Sequence, residues 1–353
     1  MVDRWIFEEY KPLVAGLPLY RVLFASYILL VVLPRYGWIG AFPDIFFHPP
    51  VGIPLLFEGF PPTWFFHLLN FGLMVAGVSL LVGWWPRVAS LAIAGLLIVG
   101  NSWAYSFGKI NHDILPIVVA LVMAFSGWGG RIVQQRPISS EPAWPMALLA
   151  LLIGLAMLTA AWPKLTSGWL DPHAPATLGH LMRNHYVTGR ETWLSTMLVQ
   201  FGWTPFWKLL DYGTLLIEGG MLLAIVSRHA FRVFCALACL FHFGVWMVMD
   251  IGFSTNVTAY AAFANWALLL HYEPIRRGCV WIDWVGDRAN LFYVIAAAGG
   301  LFGVYLTIGN PWGGWLSRLI LVAGALVGGY YVLSWVWRVL RSIEKSPAVL
   351  QHD

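Results

Sequence analysis

The sequence predicts an all-α protein, a polytopic transmembrane helix bundle of about ten helices. Three observations predict it. Hydrophobic residues make up 59% of the 353 and charged residues only 11%, with a strongly positive mean hydropathy, a balance far from that of ordinary globular domains. The apolar residues gather in runs of about 17 to 25, each able to cross a hydrocarbon core of about 30 Å as a helix that satisfies its own backbone. The runs are continuous and do not alternate, which argues against a membrane barrel.

In chain order the expected spans are residues 17–34, 63–83, 87–106, 113–128, 144–162, 209–227, 230–250, 256–271, 290–308 and 315–338. Residues 1–20 contain Asp3, Glu8, Glu9, Pro12 and Pro18, and lack the basic start, short apolar centre and small-residue cleavage site of a signal peptide. The longest polar interval, about 163 to 208, is too short for a soluble domain. The chain reads as one membrane domain.

Orientation follows from the basic residues. With ten spans, Arg35, Lys109, Lys164, Arg183, Arg190, Lys208 and Arg318 fall on one side, and the other 14 of the 21 Lys and Arg share a side with both termini. The positive-inside rule then places both termini in the cytoplasm and the 163–208 loop outside, and the membrane expected is the cell inner (plasma) membrane. The net charge of +4 reflects this topology, and no block of like charge points to nucleic acid.

The fourth span opens with Asn111, His112 and Asp113. Asp113 reads as an Asx-type helix cap, and His112 can hydrogen-bond or exchange protons with a substrate oxygen. The fifth span ends in TAAWPKLTSGWLDP, residues 159–172. Lys164 there has two readings. It snorkels to the headgroups, or it sits in a dry pocket where burial disfavours the ammonium and leaves an amine able to take a proton from a weak acid. Pro163 removes a backbone donor and is expected to break the helix beside it. Trp162 and Trp169 suit interfacial anchors and pocket walls alike.

The sixth span carries Glu218, with Asp211 seven residues earlier on the same face, and the seventh carries His242, eight residues before Asp250. An ionisable group inside a span costs about 2.5 to 3.5 kcal/mol, so each asks for a partner, a cavity or a task. Glu218 reads as a structural ion pair or as part of a site, and His242 as an interhelical histidine or a site residue. Lys109, Asn111, His112, Asp113, Lys164, Asp250 and Asn256 all fall at outward span ends, so one outward cavity is expected, with His242 and Glu218 deeper. His173, His180 and His185 match no compact ligand motif, and no metal is expected. Cys235, Cys239 and Cys279 imply no disulfide framework.

Four stretches in order, NHDILPIVVALVMAFSGWG, WPKLTSGWLDP, LLIEGGMLLAIV and LFHFGVWMVMDIGFSTNVTAYAAFANW, carry a resemblance. Together they resemble the membrane domain of vitamin K-dependent γ-glutamyl carboxylases and their bacterial relatives with the horizontally transferred transmembrane domain. The resemblance runs over about residues 15 to 272. It implies a domain of eight helices over 1–272, followed over 273–353 by two additional transmembrane helices and a basic cytoplasmic tail.

The resemblance also implies chemistry. Lys164 matches the base that deprotonates a reduced quinone, a vitamin K-like hydroquinone that then reacts with molecular oxygen. His112 matches the residue assisting oxygenation, with Asn111 near the quinone head and His242 in the core of the same cavity; Trp162, Trp169 and Glu218 complete the expected binding set. The chain shows no counterpart of the large lumenal region that holds the protein substrate in those enzymes, so quinol epoxidation is the firmer expectation than coupled carboxylation with carbon dioxide. The alternative, from another class, is a non-catalytic maturation or immunity protein that holds a quinone, a lipid or an exported peptide in the same cavity. A transporter is weaker, because the sequence shows neither repeat symmetry nor broken helices.

Overall fold

The computed structural model describes the chain except residues 1, 50–51, 109–111, 135–136, 138–139 and 345–353, and the side chains of residues 112 and 342–344. It is 78% helical, with no strand among the described residues. In chain order the helices used below are α1 (Leu17–Tyr27), α2 (Thr63–Val82), α3 (Pro86–Ala104), α4 (Leu115–Met123), α5 (Trp144–Thr166), α6 (Ala176–Met182), α7 (Trp193–Leu198), α8 (Thr204–Ala224), α9 (Arg228–Met249), α10 (Ser254–Tyr260), α11 (Glu273–Arg288), α12 (Leu291–Ile308) and α13 (Gly313–Glu344).

Among the described residues six helices are long and apolar enough to cross a membrane: Thr63–Val82, Pro86–Phe107, Trp144–Thr166, Arg228–Met249, Leu291–Ile308 and Gly313–Arg341. A seventh arises if Val2–Leu13 and Leu17–Val32, bent by 80°, form one broken span. The protein is therefore a multi-pass, all-α membrane protein, with a smaller number of uninterrupted spans than the ten expected.

The difference lies in particular segments. Residues 113–128 contain only the nine-residue α4 between two 3-10 turns. Residues 256–271 break into α10 and two 3-10 turns, separated by extended backbone at Ala264. Broken backbone survives at membrane depth only where protein surrounds it. That condition holds here: Val257, Ala259, Tyr260, Ala262 and Phe263 are buried, as are seven of the nine residues of α4. The expectation of no broken helices is thus corrected. Segment 209–227 is helical as α8, but Lys208, Asp211 and Glu218 lower its hydropathy.

The chain forms two compact units. The first comprises Met1–Ile153 and Ser254–Arg318. Small residues set its helix packing, as is usual in membranes. A Cβ at Gly100 would lie 2.2 Å from the Tyr36 ring, and one at Gly77 would lie 2.7 Å from Leu29. Arg21, in α1, is buried and donates to the carbonyls of Trp128 (3.2 Å) and Gly130 (3.0 Å). Gly83, at φ +80°, leaves the space that guanidinium fills.

Helix α11 lies in what the sequence leaves as a loop. Cys279 on its inner face packs with Leu19 and Ile132. Asp283 accepts the backbone N–H groups of Ile132 and Val133, and Asp287 pairs with Arg131. Its other face exposes Trp281, Trp284 and Arg277, with the Arg288 guanidinium 4.2 Å from the Trp284 ring. An amphipathic helix with exposed tryptophan and arginine has the form that settles in a membrane interface.

The second unit comprises Gly154–Phe253 and Leu319–Asp353. Helices α8 and α9 pack closely because Gly220 faces Phe234, where a Cβ would lie 2.6 Å from the ring. Leu181, Val199, Trp207 and Met249 form a small core that gathers α6, α7, α8 and α9.

Candidate functional site

The second unit builds a site from two lysine–carboxylate pairs. Lys164 stands in the last turn of α5 and Glu218 near the middle of α8. The Lys164 ammonium donates to both Glu218 carboxylate oxygens. It lies 5.3 Å from the centroid of the Trp169 ring, within reach of a cation–π attraction. The lysine side chain keeps 25% of its surface exposed, against 7% for Glu218. The pair is therefore reachable from one side and dry on the other.

Pro163 does not break the helix as expected, since α5 runs on to Thr166. What carries the chain back over Lys164 is the turn at Gly168, whose φ of +85° suits glycine. Trp169 follows and is buried, its ring 5.6 Å from that of His180. Trp162 is 63% exposed, in keeping with an interfacial anchor.

The second pair holds this segment in place. Lys208 and Asp211, three residues apart on α8, form a buried ion pair of 2.9 Å. Lys208 also donates to the carbonyls of Trp169 (2.7 Å) and Ala174 (3.3 Å). Asp211 accepts the backbone N–H groups of Ala176 (3.1 Å) and Thr177 (2.8 Å) and the Thr177 hydroxyl (2.6 Å). Those two N–H groups open α6, whose preceding residue, Pro175, offers no side-chain cap. Asp211 thus caps α6 from a distance, satisfying end donors that nothing local would.

Sequence reasoning counted Lys208 only toward topology, although its signal as a site residue was present: a lysine three residues before an aspartate, near the start of a largely apolar helix. His242 is buried on α9 and stacks on Phe253, with ring centroids 4.6 Å apart. His185 Nδ1 lies 3.1 Å from the buried Ser195 hydroxyl. Among the described residues no three His, Cys, Asp or Glu side chains come together to hold a metal.

The first unit gathers other polar residues. Arg35 pairs with Asp113 at 3.1 Å, and its Nε donates to Asn101 Oδ1. The Tyr36 hydroxyl donates to the same oxygen at 2.8 Å, while Asn70 accepts the backbone N–H groups of Arg35 and Tyr36. Asp113 is thus an ion-pair partner as well as a residue of a helical turn. Asn256 is buried and donates to the Tyr260 hydroxyl. Asn111, Lys109 and the side chain of His112 lie outside the described residues. A shallow hollow of about 270 Å³, lined by Arg87, Phe125, Trp128 and Trp144, holds none of the expected site residues. Comparison of the chain with protein-family models, with curated proteins and with solved structures finds no match in any of the three.

Proposed function

We propose that the protein is a membrane oxidoreductase of the inner membrane that binds a lipid-soluble weak acid, a reduced quinone, and removes its proton at the Lys164–Glu218 pair. The observation that carries this reading is a partly accessible ammonium, bound to a buried carboxylate and roofed by an indole, on a helix long and apolar enough to span the bilayer. The donor set fits such a group: an aromatic face for a ring, an N–H donor for a phenolic oxygen, and a carboxylate to accept a proton.

A reduced quinone bound there would supply an acidic hydroxyl and, with dioxygen, an overall conversion to quinone epoxide and water. The protein's part is proton handling. Glu218 takes one proton, the pair passes from ammonium plus carboxylate to ammonium plus carboxylic acid, and the Lys164 ammonium stays to hold the negative oxygen that results. This reading moves the base from a free amine to the couple, because a carboxylate already faces Lys164. Coupled carboxylation with carbon dioxide, a role for His112 and Asn111, and the topology with both termini cytoplasmic belong to the same proposal.

The test is oxygen-dependent loss of reduced quinone by protein in lipid nanodiscs. Lys164→Ala and Glu218→Gln each abolish it while the protein still elutes as a single folded species; unchanged turnover in either variant refutes the role. One observation favours a second reading. Both Glu218 oxygens already engage Lys164, so the charges satisfy each other and a non-catalytic holder of a quinone, lipid or exported peptide needs nothing more. Co-purified ligand without turnover in any redox state would favour that holder.

A further inference from the structure

Residues 38–60 read in the sequence as an outer loop between the first two spans. The structure gives their described residues an unusual surface. Leu56 is 84% exposed, Ile45 78%, Leu55 62% and Phe57 51%. Contiguous apolar exposure on this scale is not how a segment faces water. We infer that this segment lies in the membrane interface, as a non-helical flap whose backbone stays at headgroup level while the side chains of Ile45, Leu55 and Leu56 reach into the acyl boundary.

Four observations argue for lipid as the occupant. First, part of the backbone bonds to itself. The amides of Phe42, Phe47 and Phe57 bond back to Ile39, Asp44 and Pro54 in 3-10 turns at 2.9 to 3.1 Å. Second, residues 38–62 include six prolines, which bring no N–H that would need a partner in hydrocarbon. Third, the only acids in that stretch are Asp44 and Glu58. Asp44 is spent internally: it accepts the Phe60 N–H at 2.9 Å and fits against Gly59, where a Cβ would lie 2.6 Å from its oxygen.

Fourth, the flap is continuous with membrane-spanning elements of its own unit. It leads directly into α2, and its inner aromatics dock on the end of the Pro86–Phe107 helix. Phe47 and Phe57 pack on Trp103 at 5.6 and 5.1 Å, and Phe42 and Phe60 on Phe107 at 4.8 and 5.2 Å. A protein partner would instead look for polar groups to bond, since interfaces carry about one hydrogen bond per 100–200 Å². This outer face carries only three polar side chains among its described residues, Asp44, His48 and Glu58, which suit headgroup level.

The test uses the full chain with Cys235, Cys239 and Cys279, all buried, replaced by alanine. Single cysteines at Ile45→Cys, Leu56→Cys and, as a water-facing control, Arg190→Cys carry a bimane label in nanodiscs. Brominated acyl lipids should quench the label at residues 45 and 56 strongly and at 190 little, with aqueous iodide showing the opposite order. Iodide quenching at 45 and 56 without lipid quenching overturns the inference. So does protection from both quenchers that disappears when the protein is diluted from dimer to monomer, which would assign the face to a second copy. Both substituted residues are largely exposed, so folding is not at stake, and size exclusion checks it.

Discussion

The two lysine–carboxylate pairs of the second unit have the same chemistry and opposite designs. Lys208 and Asp211 are sealed, with 7% and 0% of their side chains exposed, and each is committed to several backbone groups. Lys164 and Glu218 serve mainly each other, and the lysine keeps a quarter of its surface open. A buried pair with every valence spent is a clamp: removing one member strands the other in a dry interior. A pair with an open side and a bond to spare can exchange a proton or take a ligand. The difference lies in what surrounds the two charges, and the clamp supports the open pair, since Lys208 holds the carbonyl of the tryptophan that covers Lys164.

That contrast is broken most directly at Asp211. Asp211→Ala should cost about 3 to 5 kcal/mol, the scale for leaving a buried charge without its partner, and should lower the unfolding temperature in detergent more than any other single change at the site. Glu218→Gln comes next, because Lys164 can turn toward water when its partner loses charge; a loss of about 1 kcal/mol is expected, near the upper end for accessible pairs. If the two variants unfold at the same temperature, the distinction between clamp and open pair fails. Quinol turnover sharpens it, since Glu218→Gln should remove activity at small cost in stability.

A smaller effect is expected at Trp169→Phe, which weakens the ring that covers the ammonium. About 0.5 to 1 kcal/mol is at stake, read as a modest fall in unfolding temperature that vanishes in a Lys164→Met background. The smallest is at Glu273 on α11, an exposed carboxylate held below its usual range by hydrogen bonds from Arg276 and Arg277. Because its folded value is depressed, any stability it adds is present above the ordinary carboxylate range and lost as pH falls through the depressed value. Glu273→Gln should lower the unfolding temperature slightly at neutral pH, leave it unchanged below the depressed value, and so flatten the acid-side slope.

Six of the expected spans agree with the long apolar helices of the structure within a few residues, because a bilayer enforces length and continuity that composition reports directly. The segments at 113–128 and 256–271 were less legible, since a continuous apolar run does not tell a lipid-facing helix from a broken one wrapped in protein. At the site, Lys164, Trp169 and Glu218 stood out by the expense of charge in an apolar run and by tryptophan next to it. Lys208 did not stand out, because a lysine at a helix start reads equally well as a headgroup contact. The amphipathic α11 was hidden for a similar reason: its arginines count toward topology before they are placed on a face.

The amino-acid order alone determined that this chain is helical, lives in a bilayer, and spends its few internal charges sparingly, because those properties follow from local hydropathy and the need of each segment to bond its own backbone. The tertiary structure alone decided which charge meets which. Lys164 finds Glu218 across 54 residues, Lys208 reaches back to Trp169, and Ile45, Leu55 and Leu56 turn outward. Such choices depend on how helices pack around small residues and on which donors are left over at helix ends, and no local pattern encodes that geometry.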